Sequence, residues 1–257
     1  MAGIWSEHFG HIDPNRPLFD VAVPLVTHSM LPVVAVQALW LLRRRGAILP
    51  EPEGPTAGVH PGTGPGLRVL FVGDSSVVGV GTPHTDQAIG ASFARAWASR
   101  TGQAVHWHLH GRYGATTREI EQDVVPGIPP EPFDRVVLSA GTNDIMRGTS
   151  GPRFEHDFVA LIQRIRNTVG PTPIQVCQLP PIWSFPSLPQ PLRTWAWIRR
   201  QQLDWHQQQA CSAFQDIVRF AGIDEADPGL FASDGFHPGP SGYTYWGEGL
   251  CSAALEP

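Results

Sequence analysis

Two short stretches carry the residue types of nucleophilic catalysis. Ser75 lies in Phe71-Val72-Gly73-Asp74-Ser75-Ser76, and Asp234 and His237 lie in Ser233-Asp234-Gly235-Phe236-His237-Pro238. A serine hydroxyl is a poor nucleophile until a neighbouring base takes its proton, and an imidazole does this near neutral pH. Asp234 can turn back through the Gly235 bend to bond the imidazole, fixing its tautomer and supporting its charged form. Taken singly, each stretch also has an ordinary explanation. A serine after Gly-Asp is a common helix N-cap, and Asp-Gly and His-Pro are turn chemistry. Two further stretches weigh against those explanations: Gly114 in Gly111-Arg112-Tyr113-Gly114-Ala115-Thr116-Thr117, and Asn143 in Ala140-Gly141-Thr142-Asn143-Asp144. A glycine lets backbone approach a substrate closely, and an asparagine amide offers two N–H donors. Asp74 and Asp144, beside these residues, read as hydrogen-bonding braces for their loops.

The elements that must position these residues alternate in type. Residues 67–72, 104–109, 133–140, 174–179 and 217–220 read as short strands, several of them continuously apolar as in a buried parallel sheet. Residues 87–100, 117–125, 152–169, 195–214 and 240–254 read as helices. The clearest is 152–169, where Phe154, Phe158, Leu161, Ile162, Ile165 and Val169 mark one face. Alternation of strands and helices predicts an α/β fold with an open parallel sheet covered on both faces. Ser75, Gly114 and Asn143 then follow the carboxyl ends of the first three strands, where such sheets bind ligands.

The four motifs, in this order between residues 67 and 250, resemble those of the SGNH (GDSL-type) hydrolase family. The resemblance implies a flavodoxin-like three-layer α/β/α sandwich with a five-stranded parallel sheet in the order 2-1-3-4-5. It further implies a serine esterase acting on carboxylic esters through an acyl-enzyme on Ser75, with His237 as general base and Asp234 orienting it. The oxyanion would be held by the backbone N–H groups of Ser75 and Gly114 and by the Asn143 side chain. No cofactor and no metal is implied. Members of the family include carboxylesterases, lysophospholipases, thioesterases and carbohydrate deacetylases. The apolar N-terminal segment and an aromatic loop favour short-chain acyl or lipid-like esters. An acyltransferase or carbohydrate deacetylase with the same triad, and a non-catalytic flavodoxin-like binding module, remain alternatives.

Other sequence features narrow the partners. Net charge is −5 and the basic residues form no dense patch apart from Arg43-Arg44-Arg45, so nucleic acid is not expected. No Gly-x-Ser-x-Gly elbow or phosphate-binding loop occurs, and Val78-Gly79-Val80-Gly81 lacks the third glycine of a dinucleotide fingerprint. Cys177, Cys211 and Cys251 are widely spaced and read as buried reduced thiols, which favours a cytoplasmic location. His106, His108 and His110 alternate along one strand and share a face, a geometry that suits zinc but reads better as half-buried polar positions. Trp183 and Phe185, in the proline-rich loop after the fourth strand, are candidates to line a substrate pocket.

Three regions divide the chain: an apolar helical segment at 1–48, a Pro/Gly-rich linker at 49–66 and a catalytic domain at 67–257. Residues 1–20 have no basic start and do not open as a secretory signal. Residues 21–42 are apolar enough to span a bilayer, but Pro24, Pro32 and several polar side chains favour a helix packed on the domain or resting on a membrane surface. Contact with a membrane through residues 21–45 is therefore expected as an alternative to docking, and oligomeric state is left open.

Overall fold

The computed structural model describes residues 19–44, 49–220 and 227–255. Among these residues six strands form one sheet: β1 (Ala57–His60), β2 (Leu67–Gly73), β3 (Val105–Gly111), β4 (Arg135–Ser139), β5 (Ile174–Cys177) and β6 (Ile217–Phe220). Their order is β1-β3-β2-β4-β5-β6. All neighbours are parallel except β1, which runs antiparallel to β3. The five parallel strands thus adopt the expected 2-1-3-4-5 order.

The strand period of two divides the core between two faces. Leu70, Val72, Val136, Leu138 and Val176 point to one side. There they meet the long helices α6 (Gly151–Val169) and α7 (Leu192–Ser212) and the segment Thr117–Glu119 (α4), which continues as a π turn over Ile120–Val124. Val69, Phe71, Val137 and Cys177 point to the other side, against α3 (Ile89–Thr101) and α8 (Pro240–Leu255). Phe154, Phe158, Leu161, Ile162 and Ile165 of α6 are all fully buried, as their helical spacing predicts. The remaining helices are α1 (Phe19–Arg44), α2 (Ser75–Val78) and α5 (Thr142–Arg147). All three cysteines are buried and unpaired.

One expectation needs correction. The sheet has six strands, not five, because residues 57–60 of the Pro/Gly-rich stretch at 49–66 pair with β3. Breakers are tolerated at a sheet edge, where only one side of the strand must bond. Gly58 is required there: a Cβ on it would stand 2.4 Å from the Trp107 ring. The ordinary explanation of Ser75 as a helix N-cap does not hold. Asp74, not the serine, caps α2, accepting from the Ser76 N–H at 2.9 Å. The helix is a single turn stopped by Gly79, so its dipole is slight. The parts of the N-terminal segment at 1–18 and 45–48 lie outside the described residues.

Phe158 packs against the Phe154 ring at 5.5 Å with no solvent exposure. Phe158→Ala should cost about 3–5 kcal/mol in urea unfolding; a loss below about 1 kcal/mol would show that this face of the sheet is not tightly packed.

Candidate active site

The sheet register brings separate motifs to one level. Gly73 at the end of β2 lies opposite Gly111 of β3 and Ser139 of β4. Three chains therefore leave the sheet side by side. Gly73 is the residue that lets them do so, because a Cβ there would sit 2.2 Å from the Ser139 carbonyl oxygen. The exits are stitched together by Asp74 N–H to Ser139 O at 3.3 Å and Arg112 N–H to Gly73 O at 3.1 Å.

Ser75 opens the first exit, and the loop before α8 brings Asp234 and His237 to it. Asp234 Oδ1 accepts from the N–H groups of Phe236 and His237 at 2.9 and 3.0 Å, which curls the turn back on itself. Asp234 Oδ2 then lies 2.6 Å from His237 Nδ1. With the proton on Nδ1, the lone pair of Nε2 faces Ser75, whose Oγ donates across 3.1 Å. Ser75 and His237 are each 7% exposed. The loop is held by Ala232 N–H to His237 O at 2.8 Å, and the rings of Phe236 and Tyr113 flank the imidazole at 5.3 and 5.7 Å. Burial works to raise the Asp234 carboxyl, but the bonds from His237 and from the two N–H groups outweigh it and hold the group below its usual range.

Asn143, in the first turn of α5, joins the motifs. Its Nδ2 donates to Ala115 O at 3.0 Å, beside Gly114, and to Asp74 Oδ2 at 3.4 Å, beside Ser75. Gly114 has φ +68°, the left-handed conformation that favours glycine. Among the described residues, neither the Ser75 N–H nor the Gly114 N–H donates to a backbone carbonyl. Asp74 is 2% exposed. Burial pushes its carboxyl up, offset in part by the N–H and hydroxyl of Ser76. Asp144 accepts from Thr117 N–H and Oγ1 at 2.8 and 2.9 Å and from Thr149 Oγ1 at 3.1 Å, tying α5 to α4.

The other residues singled out from sequence fall elsewhere. Phe185 is buried and packs edge-on against Phe231 and Phe236 at 5.3 and 5.0 Å, behind the His237 loop. Trp183 is exposed. The histidines of β3 do share a half-buried face. There His108 pairs with Glu131 at 3.3 Å and His110 Nε2 meets Val124 O at 2.8 Å. Among the described residues, no group of three His, Cys, Asp or Glu side chains is arranged to hold a metal ion.

Sequence reasoning missed the support of the Gly114 loop. Arg147 Nη2 donates to Gly114 O at 2.8 Å, and its Nη1 to Glu119 at 3.0 Å. Glu119 also accepts from Thr116 N–H at 2.7 Å in a capping box and lies 3.4 Å from Arg112. The Thr-x-x-Glu spacing signals the capping box in the sequence. Nothing local signals Arg147, which reaches Gly114 from another element.

The Asp234 carboxyl is ionised more readily in the folded chain than in the unfolded one, so it stabilises the fold at neutral pH. The unfolding free energy of wild type should exceed that of Asp234→Asn above about pH 4. The difference should vanish as pH falls through the lower folded-state value. A difference independent of pH between 7 and about 2 would contradict the stabilisation of the Asp234 carboxylate by these hydrogen bonds.

The fold has counterparts among solved structures. A lipase, Lip_vut3, from a goat rumen metagenome is 20% identical, with a TM-score of 0.58 covering 73% of this chain and 97% of that one. TesA is 18% identical, with a TM-score of 0.56 covering 73% and 98%. Est24, a carbohydrate acetylesterase from Sinorhizobium meliloti, is 16% identical, with a TM-score of 0.54 covering 74% and 100%. At these identities the likeness is one of fold. No curated protein matches the chain. The model of the GDSL-like lipase/acylhydrolase family matches residues 71–245, well over half of the chain, which therefore belongs to that family.

Proposed function

We propose that this hydrolase-family chain is a serine esterase whose nucleophile is Ser75. The observation that carries the reading is the relay from Asp234 Oδ2 to His237 Nδ1 at 2.6 Å and from His237 Nε2 to Ser75 Oγ at 3.1 Å. Ser75 Oγ attacks the ester carbonyl carbon as His237 Nε2 takes the hydroxyl proton, and Asp234 supports the imidazolium. The tetrahedral oxyanion is received by the N–H groups of Ser75 and Gly114 and by Asn143 Nδ2. The 3.4 Å contact from Asn143 to Asp74 is the longer of its two bonds and the one an oxyanion would replace. Collapse breaks the C–O ester bond, and the leaving alkoxide oxygen takes the proton from His237 to depart as the alcohol. Water activated by the same imidazole then cleaves the acyl-enzyme. None of these steps calls for a metal or a cofactor.

Esters with an apolar acyl part fit the surroundings best. A cavity of about 200 Å³ lies between α1, α5 and α7, lined by Leu31, Val34, Met146, Leu192 and Trp195. Arg147, on its wall, is the side chain that bonds Gly114 O. A short-chain or lipid-like acyl group leaving the oxyanion site on that side meets apolar surface. The larger of the two cavities, about 380 Å³, is bordered by Arg118, Glu121, Arg153 and Asp157; neither cavity is lined by a triad residue.

Intact-mass labelling with a fluorophosphonate tests the nucleophile without a choice of substrate. One adduct is expected on wild type and none on Ser75→Ala; an unlabelled, folded wild type would overturn the assignment. Asn143→Ala should lower kcat about 10²–10³-fold with little change in KM. A change confined to KM would make Asn143 a binding residue instead.

A further inference from the structure

Helix α1 is docked along one stripe and bare along the rest. Val23, Thr27 and Val34 are buried, and Met30 and Leu41 pack on the same core, which sets one contact line down the helix. Two polar anchors fix it to α7 and the turn before it. Trp195 Nε1 donates to Thr27 O at 3.2 Å. Gln37 accepts from Leu192 N–H at 2.9 Å and donates to Gln190 O at 2.5 Å. Away from that line the helix exposes Leu25 (72%), Val36 (66%), Val33 and Leu39 (54% each), with Val26, Leu31 and Trp40 beside them. Apolar side chains scattered singly on a surface need no explanation, but a continuous face of this kind marks a contact.

The chemistry of that face selects its partner. Its polar side chains bond within the helix: Ser29 Oγ donates to Val26 O at 2.7 Å, and His28 Nδ1 lies 2.5 Å from Pro24 O. Such internal bonding lowers the cost of leaving water. Residues 22–41 have mean hydropathy 1.6. Trp40 is exposed, and in the sequence it is followed by Arg43-Arg44-Arg45, a basic cluster on a chain whose net charge is −5. An aromatic followed by arginines matches the headgroup layer, where indoles settle and cations meet anionic phosphates. A spanning arrangement would strip the docked stripe from the domain and leave Gln37 without its backbone partners in hydrocarbon.

We propose that α1 is an in-plane membrane anchor that seats the chain on an anionic phospholipid bilayer. Its outward face lies among the acyl chains and its arginines at the phosphates, while the inner stripe stays docked on the domain. The proposal does not depend on the esterase reading. It does place the apolar cavity walled by Leu31 and Val34 at the edge of the lipid surface.

Flotation of the full chain with phosphatidylcholine vesicles, with and without phosphatidylglycerol, tests it. Wild type should float with the anionic vesicles, less as salt is added, and should be released by alkaline carbonate. Leu25→Glu/Val36→Glu should lose flotation while keeping its circular dichroism and thermal midpoint. Retention through carbonate would make α1 a span and overturn the in-plane arrangement. Wild type that remains in the aqueous phase, or a double variant that floats as well as wild type, would overturn the anchor. So would a dimer in solution that the double variant dissolves and that does not float, since α1 would then be covered by a second copy. The wild-type salt and carbonate measurements decide the matter even if the double variant fails to fold.

Discussion

The level ending of β2, β3 and β4 is the constraint on which the site depends. Parallel pairing places Gly73 opposite both Gly111 and Ser139, so three chain exits emerge within hydrogen-bonding reach. A slip of one residue in either pairing would turn every side chain of a strand to the opposite face. Val69 and Phe71 would leave one core and Leu70 and Val72 the other, at a cost the buried sheet cannot meet. Hydrophobic burial on both faces therefore sets the register, and the register sets where Ser75, Gly114 and Asn143 stand.

Within that frame the site is held by polar groups that satisfy one another out of water. Asp74 caps the single turn carrying Ser75 and receives the Asn143 amide, while Asp144 holds the neighbouring turn to Thr117. Buried carboxylates are costly, and each is accepted because several donors converge on it. The Gly114 loop is secured differently, by Arg147 and Glu119 nearer the surface. Part of the site thus rests on buried hydrogen bonds and part on an ionic cluster open to solvent, where salt weakens the attraction.

Helix α1 extends the same economy outward. It gives one stripe to the domain, bonds Thr27 and Ser29 to its own carbonyls, and leaves apolar surface facing away. Because Leu31 and Val34 also wall the cavity beside Arg147, the helix belongs as much to the surroundings of the site as to the periphery.

Much of this architecture was legible in the residues. The buried runs 67–72 and 133–140, the apolar face of 152–169 and the four short motifs depend on neighbours close in sequence, so local pattern carries them. The turn from Asp234 to His237 is likewise local, closed by bonds from N–H groups two and three residues on. Pairing of β1 with β3, the reach of Arg147 to Gly114, the packing of Phe185 behind Phe236 and the docking of α1 by Gln37 are contacts between distant residues. No periodicity encodes such contacts, since each exists only once the sheet has brought its partners together. The sequence alone determined which residues could do chemistry and in what order the elements run; the tertiary structure decided how far apart those residues stand and what supports them, because distance between remote segments is set by packing and not by spacing along the chain.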